Sequence, residues 1–128
     1  LQQTVNAQTT TYTLDLNSGL TQVLSDGTTT YLYGNGRIGE YVGTDWAYYL
    51  TDALGSVRQL ASPSASILMA QTFEPYGDVL DIVGETDSNY GFAGEWTDGT
   101  GLQHLRARYL DTGIGRFISR DAWRGKFQ

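Results

Sequence analysis

The spacing of the glycine turns constrains this chain more than any other feature. Gly19, Gly36, Gly55 and Gly77 each follow a segment with an aromatic or aliphatic residue before the turn, and the intervals between them run from 17 to 22 residues. Segments of that length hold two strands and a tight turn, and leave no room for a helix with its connections. Side chains within them alternate: Tyr12, Leu14 and Leu16 share one face while Thr13 and Asp15 share the other, the period of a strand. The expected strands are 12–16, 21–24, 28–33, 37–42, 46–50, 56–60, 67–73 and 78–83. The turns fall at Asn17-Ser18-Gly19, Ser25-Asp26-Gly27, Gly34-Asn35-Gly36, Asp52-Ala53-Leu54-Gly55 and Glu74-Pro75-Tyr76-Gly77, where glycine and asparagine tolerate the positive φ of hairpins. Residues 1–11 read as an edge strand or lead-in. The fold class is all-β, built from stacked antiparallel hairpins.

A two-stranded hairpin can neither bury both faces nor pair both edges, so each unit needs neighbours. Repetition at this period implies units stacked into one long sheet. With no cysteine, neither disulfides nor a thiolate metal site hold the fold, and His104 is the only histidine, so no metal or cofactor is expected. No apolar run reaches the roughly 18 to 20 residues that span a bilayer, and residues 1–11 lack the basic-then-apolar pattern of a leader. The formal charge of −6 is uneven: Arg37 and Arg58 are the only basic residues before residue 100, while Arg106, Arg108, Arg116, Arg120, Arg124 and Lys126 follow it. Pairing between the acidic body and the basic end is the expected use. The overall sign repels phosphate and excludes nucleic acid as a partner.

The densest run of distinctive positions is Gly94-Glu95, Asp98, Thr100-Gly101-Leu102, Leu105-Arg106-Ala107-Arg108-Tyr109, Asp111, Gly115-Arg116-Phe117, Ser119 and Asp121. It resembles the closing segment of the RHS repeat-associated core, with Thr112 where that family has proline and Gln103-His104 where it has an aromatic pair. Upstream, Tyr49-Leu50-Thr51-Asp52-Ala53-Leu54-Gly55-Ser56-Val57-Arg58 is similar to the Y-x-x-D-x-L-G-S-x-R of YD repeats, and Phe73-Glu74-Pro75-Tyr76-Gly77 stands where that family writes Y-x-P-x-G. The likeness covers residues 46–123. It implies three parts: divergent hairpin repeats over 1–45, YD repeats over 46–93 and a closing segment over 94–128. It further implies a sheet that spirals into a hollow shell around a C-terminal toxin or effector, on a secreted or cell-surface protein, with this chain a portion of a longer polypeptide or one unit of an assembly.

In some members of that family the core cuts its own chain with aspartates in an aspartic-protease-like arrangement. Asp98 and Asp111 match those acidic positions, with Asp121 a third. Two carboxylates held close share a proton, one serving as acid and the other as base. The alternative is that both cap tight turns by accepting backbone N–H groups. Arg106, Arg108, Arg116 and Arg120 suit bidentate pairing with Glu95, Asp98, Asp111 or Asp121, or stabilisation of an oxyanion, and Arg106 and Arg108 are read as alternating on one strand face. His104, lacking a nucleophile partner, is an ordinary residue. The glycines of Gly34-Asn35-Gly36-Arg37-Ile38-Gly39 sit in a hairpin and open no helix, which excludes nucleotide binding.

The aromatics Tyr31, Tyr33, Tyr41, Trp46, Tyr48, Tyr49, Tyr76, Tyr90, Trp96, Tyr109 and Trp123 are expected to form ladders between neighbouring strands, or a glycan platform where a row faces solvent. No activity on an external substrate is expected, since no serine–histidine or metal constellation is present. The partners are further repeats of the same polypeptide or further copies of the chain. An extracellular protein that stacks edge to edge into a fibre, or binds glycans, is the alternative function.

Overall fold

The structure, a computed structural model, describes residues 1–17 and 21–121. The turn expected at Ser18 and Gly19, the ring of Trp123 and the charges of Arg124 and Lys126 lie outside the described residues.

The chain is all-β and antiparallel. Strands β1 (Gln2–Val5) and β2 (Gln8–Thr11) form a hairpin of their own. Eight strands then form a meander in which each pairs with the next: β3 (Thr13–Asp15), β4 (Gln22–Ser25), β5 (Thr29–Gly34), β6 (Gly36–Val42), β7 (Asp45–Thr51), β8 (Val57–Ala61), β9 (Ile67–Phe73) and β10 (Val79–Gly84). Two-stranded units joined in sequence order place every donor and acceptor of an inner strand against a neighbour, which is what a lone hairpin lacks. Strands β11 (Trp96–Thr97), β12 (Gln103–Leu105), β13 (Arg108–Asp111) and β14 (Arg116–Phe117) form a third, four-stranded sheet. Between β10 and β11 the chain makes a short 3-10 turn, Phe92–Gly94, with Ala93 at φ +53°, and an antiparallel bridge joins Tyr90 to Trp96 around it.

Alternation decides which face of the meander is buried. Tyr31, Ala47, Tyr49, Leu60 and Met69 turn to one side and are buried, whereas Leu32, Tyr48 and Leu50 turn to the other and stay exposed. In mid-sheet the strands approach so closely at Gly39 that an added Cβ would lie 2.4 Å from the Ala47 carbonyl oxygen. Any other residue would force β6 and β7 apart there.

The buried face is covered by the chain itself. After β10, residues 85–97 turn back and run as a strap across the sheet they have just left. Tyr90, 3% exposed, drops into the core between Tyr31 and Tyr49, with ring centroids 5.1 Å and 6.3 Å away. Trp96 follows, 5.0 Å from Tyr90 and 5.7 Å from both Tyr31 and Tyr12. The rings therefore meet edge to face between sheet and strap, while the expected cross-strand pairing is seen on the bare face between Tyr41 and Trp46, with Tyr48 beside Trp46 on the same strand. Edge-to-face contact suits the ring quadrupole and adds about 0.5–1.5 kcal/mol per pair beyond burial.

Candidate functional site at the closing sheet

The strap is tied down strand by strand. The Val57 N–H donates to the Gly91 carbonyl at 3.0 Å, and the Ala93 N–H donates to Ser56 Oγ at 2.9 Å. Arg37 lays its guanidinium carbon 3.1 Å from the centroid of the Tyr90 ring and donates from Nη1 to the Gly94 carbonyl at 2.9 Å. At the far end of the strap, Asn89 Nδ2 donates to Asp26 Oδ2 at 3.2 Å and Ser88 Oγ donates to Glu40 Oε2 at 3.1 Å. These contacts fix where the closing sheet begins.

Gln103 continues the docking. It is 1% exposed, and its Nε2 donates to the Phe92 carbonyl at 2.6 Å. At the position where the related motif carries an aromatic ring, this chain uses an amide that binds sheet to strap. On the far side, Gln3 Nε2 of the first hairpin donates to Asp98 Oδ2 at 2.9 Å, so the two small sheets are joined.

Asp98 follows β11 and Asp111 ends β13. Thr97 pairs with Gln103 and Gln103 with Leu110, which puts the two aspartates at the same end of the closing sheet with β12 between them. Two strand spacings separate their Cα atoms by about 10 Å. Asp98 Oδ1 accepts the N–H and the hydroxyl of Thr100, closing the 98–101 turn. Asp111 Oδ1 accepts the Ile114 N–H at 3.3 Å. Both therefore cap turns, at opposite ends of one register row. Partial burial works to raise the Asp98 carboxyl, but the bonds from Thr100, Gln3 and the backbone outweigh it and hold the group below the usual carboxylate range.

A carboxylate not singled out by the sequence stands nearby. Asp78 Oδ2 and Asp111 Oδ1 lie 4.0 Å and 3.5 Å from the point a Gly113 side chain would occupy. A cleft of about 370 Å³ runs between the β9–β10 turn and the closing sheet, bordered by Asp78, Asp87, Asp98, Thr112 and Phe92. Asp78 directly follows the Glu74-Pro75-Tyr76-Gly77 stretch, the one sequence signal that could have drawn attention to it.

The arginines fall into different settings. Arg106 Nε sits 3.1 Å from Glu95 Oε1, and Arg108 Nη2 sits 3.1 Å from Asp121 Oδ2, with the Arg108 guanidinium 3.6 Å over the Phe117 ring. Arg116 stands opposite Asp111 in the β13–β14 register and is exposed, as is Arg120. One expectation is corrected. Arg106 is not in a strand with Arg108: it lies in the two-residue turn between β12 and β13, at φ +62°, because the hairpin must reverse between Leu105 and Arg108. Among the described residues, Arg106 reaches across to Glu95 on the acidic side of residue 100, while Arg108 pairs with Asp121 within the basic end. His104 packs its ring 4.9 Å from Tyr109 at the wall of a second cavity, of about 660 Å³, between the first hairpin and the closing sheet.

No family model matches this sequence, and no curated protein matches it. Solved structures do. The chain is similar to a crystal structure of TcdB2-TccC3, with a TM-score of 0.65 and 18% identity over 94% of this chain and 7% of that one. It is also similar to the structure of a Photorhabdus luminescens Tc holotoxin pore carrying a mutation in TccC3, with a TM-score of 0.70 and 21% identity over the same shares. The chain thus spans about 7% of the length of the proteins it matches. It shares with them an RHS-type, all-β fold.

Proposed function

We propose that this chain is the closing portion of a shell built from β-hairpin repeats, part of a longer RHS-type polypeptide that encloses its own C-terminal effector. Residues 1–45 are divergent hairpin repeats, 46–93 YD repeats and 94–128 the closing segment. Its partners are other repeats of the same polypeptide, and it works secreted or at the cell surface without cofactor. The observation that carries this reading is the strap. Another hairpin added to β10 would extend the sheet, whereas residues 85–97 turn back and cover the face already made, ending in a separate sheet. The likeness to Tc toxin complexes supports the same reading. Electron microscopy of the intact polypeptide tests it. A closed particle is expected, and deleting residues 85–121 should open it and expose the interior to added protease. A fibre joined along β3 and β10 would replace this reading with edge-to-edge assembly.

Cleavage of the chain by itself is a second activity, favoured by the position of Asp98 and Asp111 at one end of the closing sheet. Asp98, held ionised, takes a proton from water as that water attacks the scissile carbonyl and passes it to the leaving amine as the C–N bond breaks, with Asp111 holding the scissile stretch in place. Asp98→Asn and Asp111→Asn should each leave the full-length chain uncut on a denaturing gel. Fragments unchanged from wild type would remove both residues from this role.

A further inference from the structure

Glu40 is an anomaly in the sheet. It is 3% exposed, lies on β6 beneath the strap, and turns to the same side as Tyr31 and Tyr49. A buried carboxyl ordinarily has a cation beside it. Here the cation on its own strand, Arg37, is turned away to the Tyr90 ring and the Gly94 carbonyl. The groups that do face Glu40 are acidic or neutral: Tyr49 from β7, Tyr31 from β5, Asp26 from the β4–β5 turn, and Asp87 and Ser88 from the strap. Its Oε2 accepts both the Tyr49 hydroxyl and Ser88 Oγ–H, and Ser88 Oγ in turn accepts the Tyr90 N–H at 3.3 Å. One carboxyl oxygen therefore connects two strands of the sheet to the start of the strap.

We propose that Glu40 is a protonation latch on the closing segment: neutral, it is covered by residues 88–97 without losing a charge's hydration, and ionised it is left as a buried anion with no cation beside it, which loosens them. This rests on the closing reading only for what release of the strap would accomplish; the latch itself is a property of these contacts. Burial, with repulsion from Asp26 and Asp87, pushes the carboxyl up, against the opposing hydrogen bonds of Tyr49 and Ser88. In the opened strap Glu40 meets water and returns to the ordinary carboxylate value. The seated state binds the proton more tightly, so its advantage is full below the ordinary value and is lost as pH rises through the raised one. Acid closes the strap and alkali frees it, the reverse of an exposed ion pair.

Amide hydrogen exchange of the intact protein between pH 5 and 9 tests this, each rate divided by the intrinsic rate at that pH. The Ala93 and Thr97 amides, bonded to Ser56 Oγ and the Asn89 carbonyl, report the strap. Their protection should fall as pH rises, by about tenfold for each unit by which the seated carboxyl exceeds the free one, while Leu60 and Met69 stay protected. Glu40→Gln should keep the strap protected and flatten the profile. Ser88→Ala, which leaves the sheet untouched, should lower strap protection at pH 5. A flat wild-type profile would overturn the latch. So would a wild-type slope retained in Glu40→Gln, an unaffected strap in Ser88→Ala, or loss of Leu60 and Met69 protection in step with the strap. Each of these outcomes is independent of whether the particle is a shell.

Discussion

The meander of β3–β10 and the segment that covers it are held by different forces. Every strand of the meander is bonded to its neighbour in sequence through a backbone ladder, with glycines at positive φ at Gly27, Gly36, Gly43, Gly55 and Gly77 and Ala65 in that role between β8 and β9. The covering segment has almost no ladder to the sheet. Its hydrogen bonds to Arg37, Glu40, Asp26 and Ser56 span 37 to 63 residues of chain, and its rings Tyr90 and Trp96 pack on Tyr12, Tyr31 and Tyr49, also far away in sequence. Backbone ladders tolerate many side chains, whereas a surface docked by a few side-chain contacts is sensitive to each of them. The sheet is therefore generic and its closure specific.

Tyr90→Ala should break this contrast most severely. The ring fills the gap between Tyr31, Tyr49 and Trp96, carries the Arg37 guanidinium, and bonds the Tyr33 hydroxyl at 3.1 Å. Removing a buried aromatic costs about 3–5 kcal/mol. Hydrogen exchange should show that loss concentrated in residues 88–117, with the β6–β7 ladder largely retained. Equal loss in both would mean that the sheet has no stability of its own without its cover.

Two glycines sharpen the comparison. Gly77 (φ +95°) and Gly36 (φ +109°) both sit at hairpin reversals, but a Cβ at Gly77 would meet Phe92 Cδ1 of the strap at 2.7 Å, while one at Gly36 meets nothing within 4 Å. Gly36→Ala should cost only the backbone strain, about 1 kcal/mol. Gly77→Ala adds a collision with the closing segment and should cost about 2–3 kcal/mol, read from chemical denaturation. Equal costs would mean that Phe92 moves aside freely and that the strap is not packed on the turn.

The same division governs what could be read from the sequence. The meander was legible because strands and tight turns are local: the expected strand at 67–73 coincides with β9, and the turns at Gly36, Gly55 and Gly77 carry the positive φ that made glycine necessary. The strap was not, because residues 85–97 have no period and their meaning lies in partners far along the chain. Glu40 gave no signal either. A glutamate between Gly39 and Tyr41 reads as a solvated position until the strap is seen to cover it. Asp98 and Asp111 were singled out through their motif, but their neighbours Gln3 and Asp78 come from the first hairpin and the β9–β10 turn. Neither lies in the closing motif.

The smallest expected effect concerns Arg106, where the motif's alternation imitates a strand and the chain makes a turn. An L-residue at φ +62° carries a backbone cost of about 1–2 kcal/mol that glycine escapes. Its ion pair with Glu95 involves a side chain 46% exposed, and such pairs return about 0–1 kcal/mol. Arg106→Ala should thus lose the pair and keep the strain, lowering stability by less than about 1 kcal/mol. Arg106→Gly should lose the same pair and shed the strain, so that it exceeds Arg106→Ala by about 1 kcal/mol and matches or surpasses wild type. A chemical denaturation series on the three proteins separates these terms. If alanine and glycine prove equal, the reversal lies elsewhere and the arginines alternate along a strand after all; if glycine is better, the closing sheet keeps its arginine at this turn against the backbone's preference.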